Sequence, residues 1–325
     1  MKIRHTNIRN FVLSYGFIGI LILMFIGYSV GTRYFFTLDN IMGILHTAAP
    51  TMILASGLAL VIMSAKIDIS IGSISFISAV IGASLIVHYD MPPLLGLLVI
   101  VLIGALCGAL NGFIVVYLKV NPLITTMGTL FTLRGAGLRI ARGRMIDIPE
   151  GFKNIGNLSI GPLYVDILVA LGILLLIHLM HTRTKFGRHI MAIGNGEDVA
   201  RRLGVRVARV TFLTFVLSGF LASLGGIFSM FQLGAVTMFM GEGLEFTAIA
   251  VIIIGGISLF GGEGAIIPHL ILGVLTLVII ENGLNHLGAS PYVYPFVRGG
   301  VIFIAMYADS LKSMVQTKVK VLEPE

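Results

Sequence analysis

The chain alternates between long, nearly uncharged apolar runs and short polar joints, and this alternation limits its fold more than any other feature. The first run, Phe11–Val30, holds no Asp, Glu, Lys or Arg. Nine more follow at about 41–63, 69–87, 94–118, 123–138, 164–180, 210–233, 246–260, 265–280 and 292–307. A helix needs roughly 20 apolar residues to cross a bilayer. Several of these runs are shorter, and 123–138 contains Arg134. Short runs imply tilted, broken or re-entrant segments, which are tolerated only where protein or a cavity covers the backbone. The composition agrees, with 57% hydrophobic and 11% charged residues against about 25% charged in soluble domains. Such a chain cannot cover itself with a polar surface. The expected fold is an all-α polytopic membrane protein of about ten transmembrane or partly re-entrant helices, with residues 1–325 forming one transmembrane domain.

Charge sets the expected orientation. Lys2, Arg4 and Arg9 precede the first run. Ser29-Val30-Gly31 could serve as a signal-peptide cleavage site, but the run is too long for a typical signal core and many spans follow. It reads as a retained first span with a cytoplasmic N-terminus. Ten spans then put fifteen of the 22 basic residues inside, among them Lys66, Lys119, Arg183, Lys185, Arg188, Arg201 and Arg202. Arg33, Arg142, Arg144 and Lys153 fall outside. The positive-inside rule favours this orientation, with a cytoplasmic C-terminus. The rule also accounts for the net charge of +7, so no nucleic-acid partner is implied. The bilayer is the expected surrounding.

The most informative polar joint is 182–209. Within it stands Gly194-Asn195-Gly196-Glu197-Asp198-Val199-Ala200-Arg201-Arg202-Leu203-Gly204. Asn195 suits a helix N-cap, its side-chain oxygen accepting from a backbone N–H one turn on. Glu197 and Asp198 favour the positive end of the helix dipole, and Arg201 and Arg202 the other. Gly204 permits the left-handed ending. The reading is a capped helix of about two turns, in which Glu197 and Arg201 can pair. Any polytopic protein also needs polar, basic cytoplasmic loops, and that reading stays open for this joint.

Two further stretches join apolar runs. In Ile67-Asp68-Ile69-Ser70-Ile71-Gly72, Asp68 and Ser70 are placed to cap the next span, with Lys66 near enough to pair with Asp68. In Ile254-Gly255-Gly256-Ile257-Ser258-Leu259-Phe260-Gly261-Gly262-Glu263-Gly264 the glycines allow tight packing, or a hinge between spans. The two stretches share Ile and a final Gly at an offset of 190, a weak sign of an internal repeat.

Polar residues inside spans often face a cavity. Asn111, Thr125, Thr126, Thr129 and Gln232 are the candidates for a translocation path, with Arg134 and Arg298 also in spans. Hydrogen bonding between helices explains any one of them equally well. His46, His178 and His269 are scattered without metal-ligand spacing, and the single Cys107 has no partner for an internal disulfide. No phosphate-binding G-x-x-x-x-G-K-[S/T], H-E-x-x-H or G-x-S-x-G occurs. The chain is therefore expected to be no enzyme, and to hold no cofactor and no metal.

The motifs resemble those of permease subunits from bacterial ABC sugar importers of the ribose, xylose and galactofuranose type. That family carries R-T-x-F-G followed by A-I-G-G-N, a short helix and a glycine. Here Arg183-Thr184-Lys185-Phe186-Gly187 precedes Ala192-Ile193-Gly194-Asn195-Gly196. The family's I-G-G-x-S-L-x-G-G-x-G phrase matches from Ile254 to Gly264, and its N-N-G-L-N phrase matches from Glu281 to Asn285 with Glu281 replacing the first Asn. In its G-G-I-D-L-S-V-G-S phrase, Ala65-Lys66 replaces Gly-Gly.

The resemblance implies a permease in the bacterial inner membrane, moving a monosaccharide by alternating access. Its implied partners are two cytoplasmic ABC ATPase subunits, a second permease subunit and a periplasmic sugar-binding protein. Residues Gly194, Asn195, Gly196, Glu197, Asp198, Arg201, Arg202 and Gly204 would couple the spans to the ATPase. Gly255, Gly256, Gly261 and Gly262 would be packing points or hinges near the path. Two alternatives remain. One is a secondary transporter driven by an ion gradient, which tends to need an intramembrane carboxylate; the acidic residues here sit at span ends or in loops. The other is a branched-chain amino-acid permease of a related importer.

Overall fold

The computed structural model describes residue 19, residues 21–304 and residues 306–307. The first half of the run 11–30, the basic residues Lys2, Arg4, Arg9, Lys312, Lys318 and Lys320, and both chain ends lie outside the described residues. The rest is mostly helical: α1 (Leu21–Gly31), α2 (Leu38–Met63), α3 (Ile71–His88), α4 (Pro93–Val116), α5 (Pro122–Ile140), α6 (Glu150–Gly156), α7 (Val165–Arg183), α8 (Lys185–Asn195), α9 (Glu197–Arg202), α10 (Val207–Leu233), α11 (Leu244–Ile254), α12 (His269–His286) and α13 (Tyr294–Ile304). Six of them, α2, α3, α4, α7, α10 and α12, are long and apolar enough to cross a membrane. With the shorter apolar helices α1, α11 and α13, they make a polytopic membrane protein.

The bundle is inverted relative to a soluble one. On α4, Gly96, Gly104, Gly108 and Gly112 face inward, while Leu94, Leu98, Leu102, Leu106 and Leu110 are exposed. Lipid tails are as apolar as leucine, so burying leucine contributes little, and close backbone packing holds helices together instead. The glycines of α4 meet α10 in this way. A Cβ built on Gly108 would lie 2.2 Å from the Phe215 carbonyl oxygen, and one on Gly219 would lie 2.2 Å from that of Gly104. α10 packs extensively on α2, α3 and α4 and forms the axis of the molecule.

At one end of the bundle, Ile146–Asp147 pairs antiparallel with Ala235–Val236, and α6 lies against the end of α10. Arg134 of α5 is spent here. Its guanidinium donates to the carbonyls of Met238 (2.7 Å) and Met240, pairs with Glu242 at 3.2 Å, and lies 4.4 Å from the Phe76 ring centre. This intramembrane-looking arginine therefore ties the 237–243 turn to α5. At the opposite end lie α8, α9, the α2–α3 joint and the non-helical stretch from Gly255 to Pro268, which departs from helix where the glycines begin.

Candidate coupling site

α8 and α9 form a small module beyond the end of α7. Thr184 ends α7 and caps α8, accepting from the Gly187 amide at 3.3 Å. Gly187, Ile190 and Ile193 are buried, while Lys185 and Arg188 of α8 are exposed. The sequence alone predicts a polar loop here, because basic residues interrupt the apolar spacing. Thr184 followed by Phe186, Ile190 and Ile193 was the available signal.

α9 spans Glu197–Arg202 with its acidic residues first and its basic residues last, as the sequence predicts. Glu197 and Arg201 pair at 2.9 Å. The helix closes through Gly204, at φ +81°, with the Val205 amide donating to Ala200 O at 3.0 Å. Ala200 is buried and seats the helix, whereas Val199 and Leu203 are 61% and 75% exposed. Sequence reading missed this apolar pair, although a spacing of four within a charged helix is legible.

The cap differs from expectation. Asn195 is the last residue of α8, and Gly196 holds the position before α9. The Asn195 amide instead donates to Met191 O at 2.9 Å and to Gly262 O at 3.0 Å. The Gly262 amide in turn donates to Met63 O at 3.0 Å. Three backbones thus touch: the end of α2, the end of α8 and the glycine-rich stretch. A Cβ on Gly194 would fall 2.0 Å from Met63 O and 2.3 Å from Gly262 N, and one on Gly261 would fall 2.7 Å from Ala65 N. No side chain larger than hydrogen fits at these contacts. The same stretch is held from α7 by His178, whose Nδ1 accepts from the Ile267 amide at 3.3 Å. Gly255 packs on the start of α12, where a Cβ would meet His269 O at 2.2 Å, while Gly256 needs only its positive φ of 90°.

Lys66 also departs from expectation. It pairs with Glu197 at 3.1 Å and not with Asp68. Glu197 therefore holds Arg201 with one carboxylate oxygen and Lys66 with the other, linking α9 to the α2–α3 joint. Asp68 is fully buried one step away. It accepts from the Ser70 amide (3.0 Å), the Ser70 hydroxyl (2.6 Å) and, from α10, the Ser218 hydroxyl (3.1 Å). Neither Asp68 nor Ser70 caps α3 by a side-chain bond; Asp68 closes a local turn instead. Burial pushes its carboxyl above the usual carboxylate range, and the bonds from Ser70 and Ser218 oppose that shift.

The five residues singled out for a translocation path do not share one site. Asn111 belongs to the Asp68 cluster, donating to the Ser70 hydroxyl at 2.8 Å. Thr126 and Thr129 bond to carbonyls of their own helix, and Thr125 is buried beside them. Gln232 lines a cavity of about 240 Å³ among α2, α10, α11, α12 and α13.

Comparison with known proteins agrees with this architecture. Residues 40–306 match the family described as branched-chain amino acid transport system / permease component. The ribose import permease protein of Escherichia coli strain K12 is 35% identical over 284 residues, covering 86% of this chain and 88% of the relative. The autoinducer 2 import system permease protein of Photorhabdus luminescens is 35% identical over 288 residues, 86% of this chain and 85% of the relative. The D-allose transport system permease protein of E. coli K12 is 34% identical over 286 residues, 88% and 87%. No solved structure matches the chain. With the family model spanning most of the sequence and relatives aligned nearly end to end, the chain belongs to this family of transport-system permease components.

Proposed function

We propose that the chain is a membrane-spanning subunit of an ATP-driven ABC importer that carries a monosaccharide across the bacterial inner membrane. The family description names branched-chain amino acids, but similar relatives are permeases for ribose, D-allose and galactose or methyl galactoside. A sugar is the better reading. ATP is hydrolysed on a separate ATPase subunit, sugar arrives on a periplasmic binding protein, and a second permease subunit completes the path. The chain crosses the membrane about ten times, with both ends and residues 182–209 in the cytoplasm.

The observation that carries this reading is the coupling module. A helix with Val199, Leu203, Arg201 and Arg202 turned outward has the apolar anchors and charged rim that a protein groove recognises. Behind it, Asn195 and Gly194 meet the end of α2 and the α11–α12 connection at backbone distance, and Glu197 pairs with Lys66 of the α2–α3 joint. A push on α9 must therefore move the ends of the spanning helices. Asp68 favours a second reading, an ion-gradient transporter, because a fully buried carboxylate is what such a protein uses. Its three donors come from the protein itself, which makes it a structural tie between the α2–α3 joint and α10.

Single-cysteine labelling in a Cys107→Ala background tests the orientation. Positions 185 and 202 are expected to resist an impermeant thiol reagent in intact cells, and position 153 to react. Labelling at 202 in intact cells would refute it. Purification from native membranes is expected to bring an ATPase subunit with the chain.

A further inference from the structure

The cavity noted above has a specific origin in the sequence. Pro50 lies inside α2 and has no N–H, so the carbonyl of His46, one turn earlier, loses its helical donor. Gln232 of α10 supplies the replacement: its Nε2 donates to His46 O at 2.7 Å and to the Asp166 carboxylate at 2.7 Å. The same carboxylate oxygen lies 2.8 Å from His46 Nδ1, and the His46 ring stacks on Tyr164 at 4.1 Å. Both Gln232 amide hydrogens are thereby used, and its carboxamide oxygen is left as an acceptor.

Several hydroxyls around this break are left uncommitted. Thr126, Thr129, Thr132 and Thr276 each bond back to a carbonyl of their own helix, the usual resting place for such groups. Thr247 in the cavity wall does the same, bonding to Gly243 O at 3.2 Å, whereas Thr47, Thr51 and Ser229, which also line the cavity, make no such bond among the described residues. Glu281 and Arg298, paired with each other, form another part of the wall. Between these polar groups lie Val251, Val274 and Leu277. A wall of uncommitted hydroxyls, an amide oxygen and one internally neutralised ion pair, interrupted by aliphatic patches, suits a neutral molecule with both hydroxyls and C–H faces. At about 240 Å³ the space falls below the roughly 300–1,000 Å³ of drug-sized sites and matches one sugar ring rather than two.

We propose that this cavity, beside Pro50, is a weak binding site within the permease for a single pentose or hexose; this rests on the sugar-importer reading above. The hydroxyl set is generic, so the site accepts pentose and hexose alike, and the binding protein selects between them.

The test uses the permease–ATPase complex without its binding protein, in nanodiscs, with tritiated D-ribose, D-allose and methyl galactoside as probes. Saturable binding in the millimolar range is expected for at least one probe. Ser229→Leu, which fills the cavity, and Thr51→Val, which removes one hydroxyl, are each expected to weaken it at least tenfold. Thr132→Val, whose hydroxyl bonds within α5, is expected to leave it unchanged. Should Ser229→Leu fold poorly, Thr51→Val and Thr47→Val decide. No saturable binding of any probe, or binding untouched by the cavity variants, would overturn the site. Probe binding here, with no ATP-driven uptake by the complete assembly including its binding protein in proteoliposomes, would sink the importer reading and leave the cavity standing, whereas such uptake without binding here would sink the cavity alone.

Discussion

The Gly219→Leu variant is expected to lose most of its folded protein. A Cβ at Gly219 would lie 2.2 Å from Gly104 O, 2.8 Å from Gly108 N and 2.9 Å from Gly108 Cα. All three are backbone atoms of α4, so no side chain can turn aside and the two helices must part. Overpacking a well-packed core costs about 1–3 kcal/mol; with backbone rather than side chains on the other side, the upper end or more is expected. α10 also packs on α2 and α3, so the disturbance reaches the whole bundle. The matched control is Gly172→Leu on α7, where a Cβ meets nothing within 4 Å. The check is the monodisperse peak and thermal midpoint of detergent-purified protein. A normal peak for Gly219→Leu, with a midpoint equal to the control, would show that α4 and α10 are not held by backbone contact.

The double change Arg201→Glu and Arg202→Glu is expected to separate folding from transport. Arg201 is 64% exposed, and its pairing with Glu197 is of a kind worth only about 0.2–0.5 kcal/mol on a helix surface. Glu197 keeps Lys66 as its other partner, so α9 stays anchored. Membrane abundance should match the parent. At a protein interface, however, reversing charges sets each against its former partner and costs several times more. Uptake is expected to fall at least tenfold, and the ATPase to copurify poorly. Full uptake with the ATPase still bound would make α9 an ordinary solvated helix.

How much of this was legible in the sequence depends on how far apart the partners lie. α9 was readable because its signals are local: acidic residues first, basic residues last, Gly204 at the end. The apolar helices were readable from composition alone. The role of Asn195 was not, because its partner Gly262 lies 67 residues away, and a local cap was the simplest use of an asparagine before two acids. Lys66 was assigned to the nearest carboxylate, Asp68, but its partner Glu197 is 131 positions distant. Gln232 was singled out as a polar group inside a span. Its reason, the carbonyl freed by Pro50 and lying 186 positions away, required the fold. α8 was hidden because Lys185, Arg188 and His189 interrupt the apolar spacing that marks a helix.

The glycine-rich stretch was expected to be either tight packing or a hinge near the path. The structure puts Gly261 and Gly262 against the ends of α2 and α8, where Asn195, Met63 and Ala65 approach within contact of their backbones. On the proposed function, these glycines stand between the element that the ATPase pushes and the helices that respond.

The measurement that bears most directly on this account is sugar uptake into proteoliposomes under two energy sources. One preparation holds the chain with its copurified ATPase and binding protein, and the other holds the chain alone. Tritiated D-ribose, D-allose and methyl galactoside are supplied with ATP, or with an imposed proton or sodium gradient. The account predicts ATP-dependent uptake of at least one sugar by the complete assembly with all gradients collapsed, and none by the chain alone. Gradient-driven uptake by the chain alone, lost on Asp68→Asn, would contradict it and make the buried carboxylate an ion-coupling site.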